Sequence, residues 1–258
     1  MKDQYFGDQT DFIKYGILQA FAVSDGIDLF VHWTKTPNDG SSDGSRTKYL
    51  AKPNLWRHFN PPIFDVLKCE LDANRRSLHA VEQHGFLPGA AFCFDEWHRQ
   101  AQSRVDSLAQ FLTLASRPGL VFLDPDNGLN TPAVGPQSPA APKYVFPEEL
   151  RYVWEGGHSL AIYQHYPRVP RLPYLTSQLA RLESIIGRYA GAVINTSHVA
   201  FLFCFQPDHA EIGLRIAREA GAHWAPHTLA YVLGDDGSLE PTVAHTRAPG
   251  FEQAELPL

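Results

Sequence analysis

Short, almost uninterrupted runs of apolar residues that end in polar turns constrain the fold of this chain more than any other feature. The clearest runs are LFVHW at 29–33, AFCF at 91–94, LVFL at 120–123 and LAIY at 160–163. Runs without the alternation of a half-exposed strand are typical of strands that are covered on both faces. Such strands occur in parallel sheets flanked by helices, so the pattern predicts an α/β protein.

Other segments add helices and a hairpin to this sheet. Helical spacing of apolar residues predicts helices over 12–22, 96–115 and 174–189. A further strand is expected at 78–81. The runs 192–195 and 199–205 are too close in sequence for a crossover helix and are predicted to pair antiparallel. The predicted fold is an α/β three-layer sandwich whose mostly parallel sheet ends in an antiparallel hairpin.

The length and composition of the chain suit one domain. With 258 residues, 44% of them hydrophobic, the chain can bury a full core, and a single domain over 1–258 is expected. Prolines among small residues predict a loop at 130–143, and the segment 234–258 is expected to be irregular. No apolar stretch approaches the roughly eighteen residues of a membrane span, and the opening lacks a signal-peptide pattern. We therefore expect a cytoplasmic protein with no membrane partner.

The net charge of −6 argues against broad attraction to a phosphate backbone, although it permits a local basic groove. Arg181 and Arg188 are interpreted as solvent-facing, whereas Arg168 and Arg171 suit either a groove or a solvated surface. The three cysteines are far apart in sequence, and two of them lie in apolar runs. Buried thiols are therefore expected rather than a disulfide or a zinc site.

The strongest candidate site follows the run at 120–123. Asp124, Pro125, Asp126 and Asn127 come directly after it, where the carboxyl edge of a parallel sheet presents side chains into a crevice. A Pro-Asp-Asn-Gly turn is the structural alternative, but a plain turn does not account for two acids so close together. We predict that a ligand binds here.

Three further segments supply candidate polar groups. Asp8, Asp11 and Lys14 stand at the start of the first helix, where a cap and a surface ion pair are the alternative to a ligand site. The loop with Asp39, Gly40 and Asp43 offers backbone amides and carboxylates to a polar ligand. At the end of the run at 160–163, His165 is either a general base or a hydrogen-bonded strand-end residue.

Four motifs carry a resemblance to a known group of proteins. They are YFGDxxDFxKY at 5–15, TPNDGxxDG at 36–44, FLDPDNGL at 122–129 and GHSLAIYQHYPR at 157–168. They resemble a family of uncharacterised bacterial and phage proteins, whose layout is similar to that of the J-type 23S rRNA adenine-N6 methyltransferases. Those enzymes are Rossmann-like and use S-adenosylmethionine, so the resemblance implies that the α/β three-layer sandwich of this chain is Rossmann-like. Their Asp-Pro-Pro-Tyr motif is matched here by Asp124-Pro125-Asp126-Asn127, so an acid and an amide replace the second proline and the aromatic residue.

The resemblance implies a methyltransferase-like enzyme that acts on a nucleobase amine of a nucleic acid or nucleotide. Asp124 would bind the amine, and a tyrosine such as Tyr163 or Tyr166 would stack on the base. The candidate catalytic residues are Asp124, Pro125, Asp126, Asn127 and His165. The candidate S-adenosylmethionine-binding residues are Asp8, Asp11, Lys14, Trp33, Thr34, Asp39, Gly40 and Asp43.

The same residues are compatible with two other functions. Asp124 and Asp126, joined by Asp8, Asp39 or Asp43, are suited to hold a divalent cation in a nuclease or phosphohydrolase. Alternatively, the loss of the aromatic residue from the motif is expected of a nucleotide-binding module without catalytic activity.

Overall fold

A computed structural model describes residues 1–242, which form an α/β, Rossmann-like sandwich as predicted. The helices are α1 (Gln9–Ala22), α2 (Pro53–Trp56), α3 (Pro61–Asp72), α4 (His79–Gln83), α5 (Ala101–Leu112), α6 (Pro147–Glu155), α7 (Arg171–Ile186) and α8 (Pro207–His223). The strands are β1 (Leu29–His32), β2 (Ala91–Cys93), β3 (Leu120–Leu123), β4 (Gly128–Leu129), β5 (Tyr144–Val145), β6 (Ser159–His165), β7 (Ala190–Asn195), β8 (Val199–Phe205), β9 (Leu229–Leu233) and β10 (Leu239–Pro241).

Within residues 1–242, eight strands form one sheet in the order β10-β9-β7-β8-β6-β3-β1-β2. The half made of β2, β1, β3 and β6 is parallel. Each remaining pair of neighbours is antiparallel, so β7 and β10 run in the direction of the parallel half while β8 and β9 run against it. The predicted hairpin is β7 and β8, and the latter inserts between β6 and β7.

Helices cover both faces of the sheet. On one face, α1, α3 and α8 pack with aromatic residues of the sheet such as Phe122 and Phe203. On the other face, α5, α6 and α7 cover the alternate strand residues, among them Val121 and Leu202. Two-sided cover explains why β3 and β8 are buried along their whole length, as their continuous apolar runs predict.

The prediction of a strand at 78–81 is wrong, because His79–Gln83 is helix α4. Leu78 and Val81 are both buried, three residues apart on one side of a helical turn. An apolar run of four residues is too short to show a helical or a strand period, so the sequence pattern could not distinguish the two structures here. The carboxylate of Asp3 accepts from the Leu78 amide and holds the start of this turn.

Several boundaries and elements differ from expectation. Helix α1 begins at Gln9 because Asp8 caps it by accepting from the Thr10 amide. The helix expected over 96–115 is limited to α5, while α3, α6, α8, β9 and β10 were not predicted. Residues 239–241, expected to be irregular, form β10 against β9, and residues 243–258 lie outside the described part of the chain.

Two further expectations have mixed outcomes. Cys93 and Cys204 are buried free thiols as expected, whereas Cys69 is exposed. Arg188 is exposed as expected, whereas Arg181 is half-buried and its guanidinium binds the backbone and side chain of Asn130. None of the helices in residues 1–242 is both long and apolar enough to cross a membrane.

Candidate functional site

A cavity of about 600 Å³ opens at the carboxyl ends of β1, β3 and β6. From β1, the chain passes first to β2 on one side and later to β3 on the other. This reversal makes the crevice between β1 and β3 a topological switch point, where open α/β sheets bind ligands. The cavity is lined from the N-terminal segment, the loop at 39–46, the turn at 124–127 and the ends of β6 and β8.

The structure brings most of the predicted site residues to this cavity. Those that line it are Asp8, Asp11, Asp39, Asp43, Asp124, Pro125, Asp126, Asn127 and His165. Lys14, Trp33 and Thr34 are fully buried next to it, and Trp33 packs edge-on against Tyr15 and Phe122 in the core. Gly40 lies in the exposed part of its loop, with a φ of 68° and open space around it.

Asp124 belongs to a buried charge cluster on the wall of the cavity. Its Oδ2 atom lies 2.8 Å from the Nζ atom of Lys14, which also lies 2.8 Å from Oδ1 of Asp11. Lys14 and Asp124 are both 0% exposed. The Oδ1 atom of Asp124 has no hydrogen-bond partner among residues 1–242, so an acceptor is left free beside the cavity.

Charges within this cluster set the protonation of its members. Burial, together with the nearby charge of Asp124, raises the pKa of Asp11 to about 7. Burial alone would lower the pKa of Lys14, but the two carboxylates raise it above its ordinary value. The surface ion pair that the sequence offered as an alternative for Asp11 and Lys14 is therefore wrong, since both side chains lie in the interior.

Asp126 lies among ammonium groups. Its Oδ1 atom is 3.0 Å from the amino group of Met1, its Oδ2 atom is 3.2 Å from Nζ of Lys2, and Thr36 donates to it. Burial would raise the pKa of Asp126, but these positive charges hold it below its ordinary value. Lys2 also binds Asp39 at 2.7 Å and so connects the floor of the cavity to the loop at 39–46.

The amino group of Met1 marks a position suited to a primary ammonium. It donates to the backbone carbonyl of Thr34 at 3.1 Å and to that of Asp124 at 3.0 Å. With the carboxylate of Asp126, three oxygen acceptors surround one nitrogen at the ends of neighbouring strands. A positively charged amine is the group that such a set of acceptors favours.

The loop that carries Asp39 and Asp43 is held against the N-terminal segment. Gln4 donates to Asp39, and the backbone of Gly44 lies so close to Gln4 and Tyr5 that a Cβ atom would overlap them. A φ of 81° at Gly44 adds a second reason for glycine at this position. The loop thereby presents its carboxylates to the cavity.

Tyrosine and histidine side chains line another part of the cavity. His165 faces the cavity and lies edge-on to Tyr163 with the ring centroids 5.2 Å apart. The protein around the imidazole partly removes it from water and thereby lowers the pKa of His165. Arg171 lies over the ring of Tyr166 and donates to the carbonyl of Ser197, but Arg168 and Arg171 are both exposed and neither lines the cavity.

Gln164 holds the turn after β3 against β6. Its side-chain carbonyl accepts from the amide of Leu129, and its amide group donates to the carbonyl of Asn127. Gly128 has a φ of 106°, and a Cβ atom there would overlap the Gln164 side chain. The glycine of the Asp-Pro-Asp-Asn-Gly segment thus permits the contact that positions the segment.

Sequence reasoning missed several groups at the site. Met1, Lys2, Arg46 and His198 line the cavity, and Arg46 pairs with Asp8. Their partners are distant in sequence, so no local pattern indicates them. The GHSLAIYQHYPR motif includes Gln164, but the sequence interpretation considered only the neighbouring histidine and tyrosines.

The described residues contain no group of three or more His, Cys, Asp or Glu side chains placed to hold a metal ion. Asp124 and Asp126 instead have the ammonium groups of Lys14 and Lys2 as partners. A divalent cation bound by both carboxylates would have to displace these groups.

No protein-family model matches the chain, and a search of curated proteins finds no match.

Proposed function

We propose that this protein is a methyltransferase-like enzyme that uses S-adenosylmethionine to methylate an amine of a nucleobase. The observation that carries the proposal is the free Oδ1 atom of Asp124, a buried acceptor beside the cavity at the switch point of the sheet. A buried acceptor without a partner is costly, so a ligand that donates a hydrogen bond to it gains affinity. An amine N–H is such a donor.

Lys14 determines which oxygen of Asp124 meets the substrate. Its ammonium group binds Oδ2 and leaves Oδ1 without a partner. A hydrogen bond from the amine to Oδ1 would hold the nitrogen in one orientation, which is the main contribution that a positioned acceptor makes to group transfer. Asp124 therefore acts as the orienting residue for the amine.

His165 is suited to receive the proton that the reaction releases. In the transfer, the amine nitrogen would gain the methyl group as the methyl–sulfur bond of the cofactor breaks and S-adenosylhomocysteine leaves, and the nitrogen would lose one proton to a base. The lowered pKa of His165 keeps its imidazole neutral near pH 7, so a ring nitrogen is free to accept that proton. His165 lines the same cavity as Asp124.

The residues present fit the cofactor. The cavity volume of about 600 Å³ lies in the usual range for small-molecule sites. The carbonyls of Thr34 and Asp124 and the carboxylate of Asp126 would hold the α-ammonium group, in place of the amino group of Met1. Asp39 and Asp43 would accept from ribose hydroxyls. When bound, the cofactor supplies the methyl group.

The rim offers a stacking surface for the base. Asn127 stands where the resembled family has an aromatic residue, but Tyr163 and Tyr166 line the cavity wall near His165. Tyr163 is 7% exposed and is packed against Phe201, so its ring is held in place. A ring this buried has almost no face free for a base, so we assign the stacking role to Tyr166, which is partly exposed and lines the cavity.

The metal-dependent hydrolase and the inactive nucleotide-binding module remain predictions from the same residues. A cation bound by both carboxylates would displace Lys14 and Lys2, whereas the cofactor would displace only the amino group of Met1, and this difference favours the methyltransferase over the hydrolase. Activity or thermal stability that is lost with a chelator would support the hydrolase. Ligand binding without turnover would support the module.

The test is isothermal titration with S-adenosylmethionine and S-adenosylhomocysteine, together with methyl transfer to mixed RNA and DNA from radiolabelled cofactor. The variant is Asp124→Asn. Lys14 would attract the oxygen of the new amide and turn its NH₂ group towards the cavity, where it repels an amine donor. Transfer should fall by about 100-fold or more, with cofactor binding retained.

Asp72→Asn is the matched control, because Asp72 is an exposed carboxylate at the end of α3 in a surface pair with Lys68. Its transfer rate should equal that of the wild type. Absence of cofactor binding by the wild-type protein would refute the proposal.

A further inference from the structure

His32 is a polar residue at a position where the strand pattern favours an apolar one. It is the last residue of β1 and is 0% exposed, on the face of the sheet covered by α5. Its ring lies edge-on to Trp97 and Phe111, with centroids 4.9 Å and 5.7 Å away. Because buried polar atoms normally form hydrogen bonds, the partners of its two ring nitrogens indicate why a histidine occupies this position.

Hydrogen bonds specify the tautomer of this imidazole. The amide of Thr34 donates to Nδ1 at 3.1 Å, so Nδ1 carries no hydrogen. The Nε2 atom must then carry it and donate to the hydroxyl of Ser107 at 3.2 Å, and Ser107 donates to Asp95 at 2.9 Å. Burial lowers the pKa of His32 to about 3, in agreement with a neutral ring.

This chain of hydrogen bonds ends at a strained residue. Thr34 has a φ of 42°, in the left-handed region that β-branched residues rarely adopt. Such a conformation costs about 1 to 3 kcal/mol and persists only where neighbouring groups hold it. The bond from its amide to His32 supplies one such constraint, and the Thr34 carbonyl then accepts from the amino group of Met1.

We infer that His32 is a positioning residue, which acts through Thr34 to aim a backbone carbonyl at the ammonium group of the bound ligand. The inference rests on the proposed function, because the ligand is the amino-acid portion of S-adenosylmethionine or S-adenosylhomocysteine. The carbonyl of Thr34 is one of the three acceptors that surround the amino nitrogen of Met1, whose place the ammonium group of the ligand would take. His32 does not touch the ligand itself.

The test compares two substitutions of His32 with two ligands. His32→Asn places Oδ1 on Cγ, where Nδ1 stands in histidine, and retains an acceptor for the Thr34 amide. His32→Leu removes this acceptor. S-adenosylhomocysteine carries the ammonium group, whereas 5′-methylthioadenosine lacks the whole amino-acid portion. Titration calorimetry gives the dissociation constants, and hydrogen exchange reports the protection of the Thr34 amide.

His32→Leu should weaken binding of S-adenosylhomocysteine by about 10-fold or more, because a hydrogen bond to a charged group is lost. Binding of 5′-methylthioadenosine should change by less than about 2-fold, and His32→Asn should restore most of the lost affinity. The Thr34 amide should exchange slowly in the wild type and in His32→Asn, and rapidly in His32→Leu.

If His32 only fills space in the core, its substitution would weaken the binding of both ligands equally, and His32→Asn would be affected as well. This result would overturn the inference. If the wild type binds 5′-methylthioadenosine but not S-adenosylhomocysteine, the ammonium assignment fails while the nucleoside site stands. If it binds neither ligand, the proposed function and the ligand assigned to Thr34 fail together.

Discussion

Two buried carboxylates share a single ammonium group in the cluster of Asp11, Lys14 and Asp124. Fully ionised, these three side chains would carry a net negative charge in the protein interior, which is unfavourable. One carboxylate is therefore expected to bind a proton near neutral pH. Asp11 is that carboxylate, since its pKa is raised to about 7 by burial and by the charge of Asp124.

Asp11→Asn should change how stability depends on pH. The folded-state pKa of Asp11 is about 7, above the unfolded value of about 3.9, so Asp11 contributes stability that is complete below about pH 4 and is lost as pH rises towards 7. The free energy of unfolding of the wild type minus that of the variant should fall between these pH values and level off above about pH 8. Urea unfolding from pH 4 to 9 measures it.

Glu149, whose pKa burial also raises to about 7, cancels in this difference because both proteins contain it. A difference that increases with pH would mean that the attraction of Lys14 outweighs burial and lowers the pKa of Asp11.

Lys14→Met should be strongly destabilising. Removal of one partner from a buried ion pair leaves the other charge uncompensated and typically costs about 3 to 5 kcal/mol. The urea midpoint at pH 8 is the measurement. Lys68→Met is the control, because Lys68 forms an exposed pair with Asp72 and should change stability by less than about 0.5 kcal/mol. Equal effects of the two substitutions would contradict the burial of Lys14.

At the scale of elements, the proline-rich segment 130–143 is attached to the helices around it. Arg181 of α7 donates to Asn130 at its start, and Arg104 of α5 donates to the carbonyl of Pro136 in its middle. At its end, a 3-10 turn over Ala141–Lys143 leads into β5. These attachments, rather than local sequence, hold the segment beside the cavity that Lys143 helps to line.

Arg181→Met should release the start of this segment. The amides of residues 131–142 should exchange faster and a protease should cleave there sooner, while global stability falls by only about 1 to 2 kcal/mol, because one charged hydrogen-bond donor is lost. Hydrogen exchange with peptide resolution measures this. Arg188→Met is the control, because Arg188 is 82% exposed. Unchanged protection of 131–142 in Arg181→Met would show that other contacts hold the segment.

At the scale of the whole molecule, one face of the sheet depends on close approach between its first and last helices. Gly16 of α1 lies against the indole of Trp224, the residue that follows α8, and Trp224 is 1% exposed. The ring of Phe12 also lies edge-on to Trp224 at 5.0 Å. Distant parts of the chain are thus joined at a position that has no room for a Cβ atom.

Gly16→Ala should destabilise the folded protein even though alanine favours helices. The added methyl group would overlap the indole, and overpacking of this kind costs about 1 to 3 kcal/mol, against about 1 kcal/mol gained in helix propensity. Thermal unfolding measures the net loss. Gly135→Ala, at a site with no atom nearby, should be neutral or stabilising by up to about 1 kcal/mol. A stabilised Gly16→Ala protein would contradict the close packing of α1 and α8.

The local sequence pattern was sufficient to predict an element where that element contains a clear apolar period or a continuous apolar run. The strands β1, β3, β6 and β8 were predicted because continuous apolar character follows from burial on both faces. The position of Asp124 at the cavity was predicted too, because side chains after a parallel strand point to the carboxyl edge. The strand predicted at 78–81 was wrong because four residues are too few to distinguish a helical turn from a strand.

The amino-acid sequence by itself thus determined the class of fold, the positions of the main strands along the chain and the edge of the sheet that carries the cavity. Only the tertiary structure decided the partners and charge states of the site. Lys14 and Asp124 are 110 residues apart, and Thr36 and Asp126 are 90 apart, so no local spacing relates them. Whether an aspartate at the start of a helix is a surface ion-pair member or a buried acid depends on what covers it, and that is a property of the packed molecule.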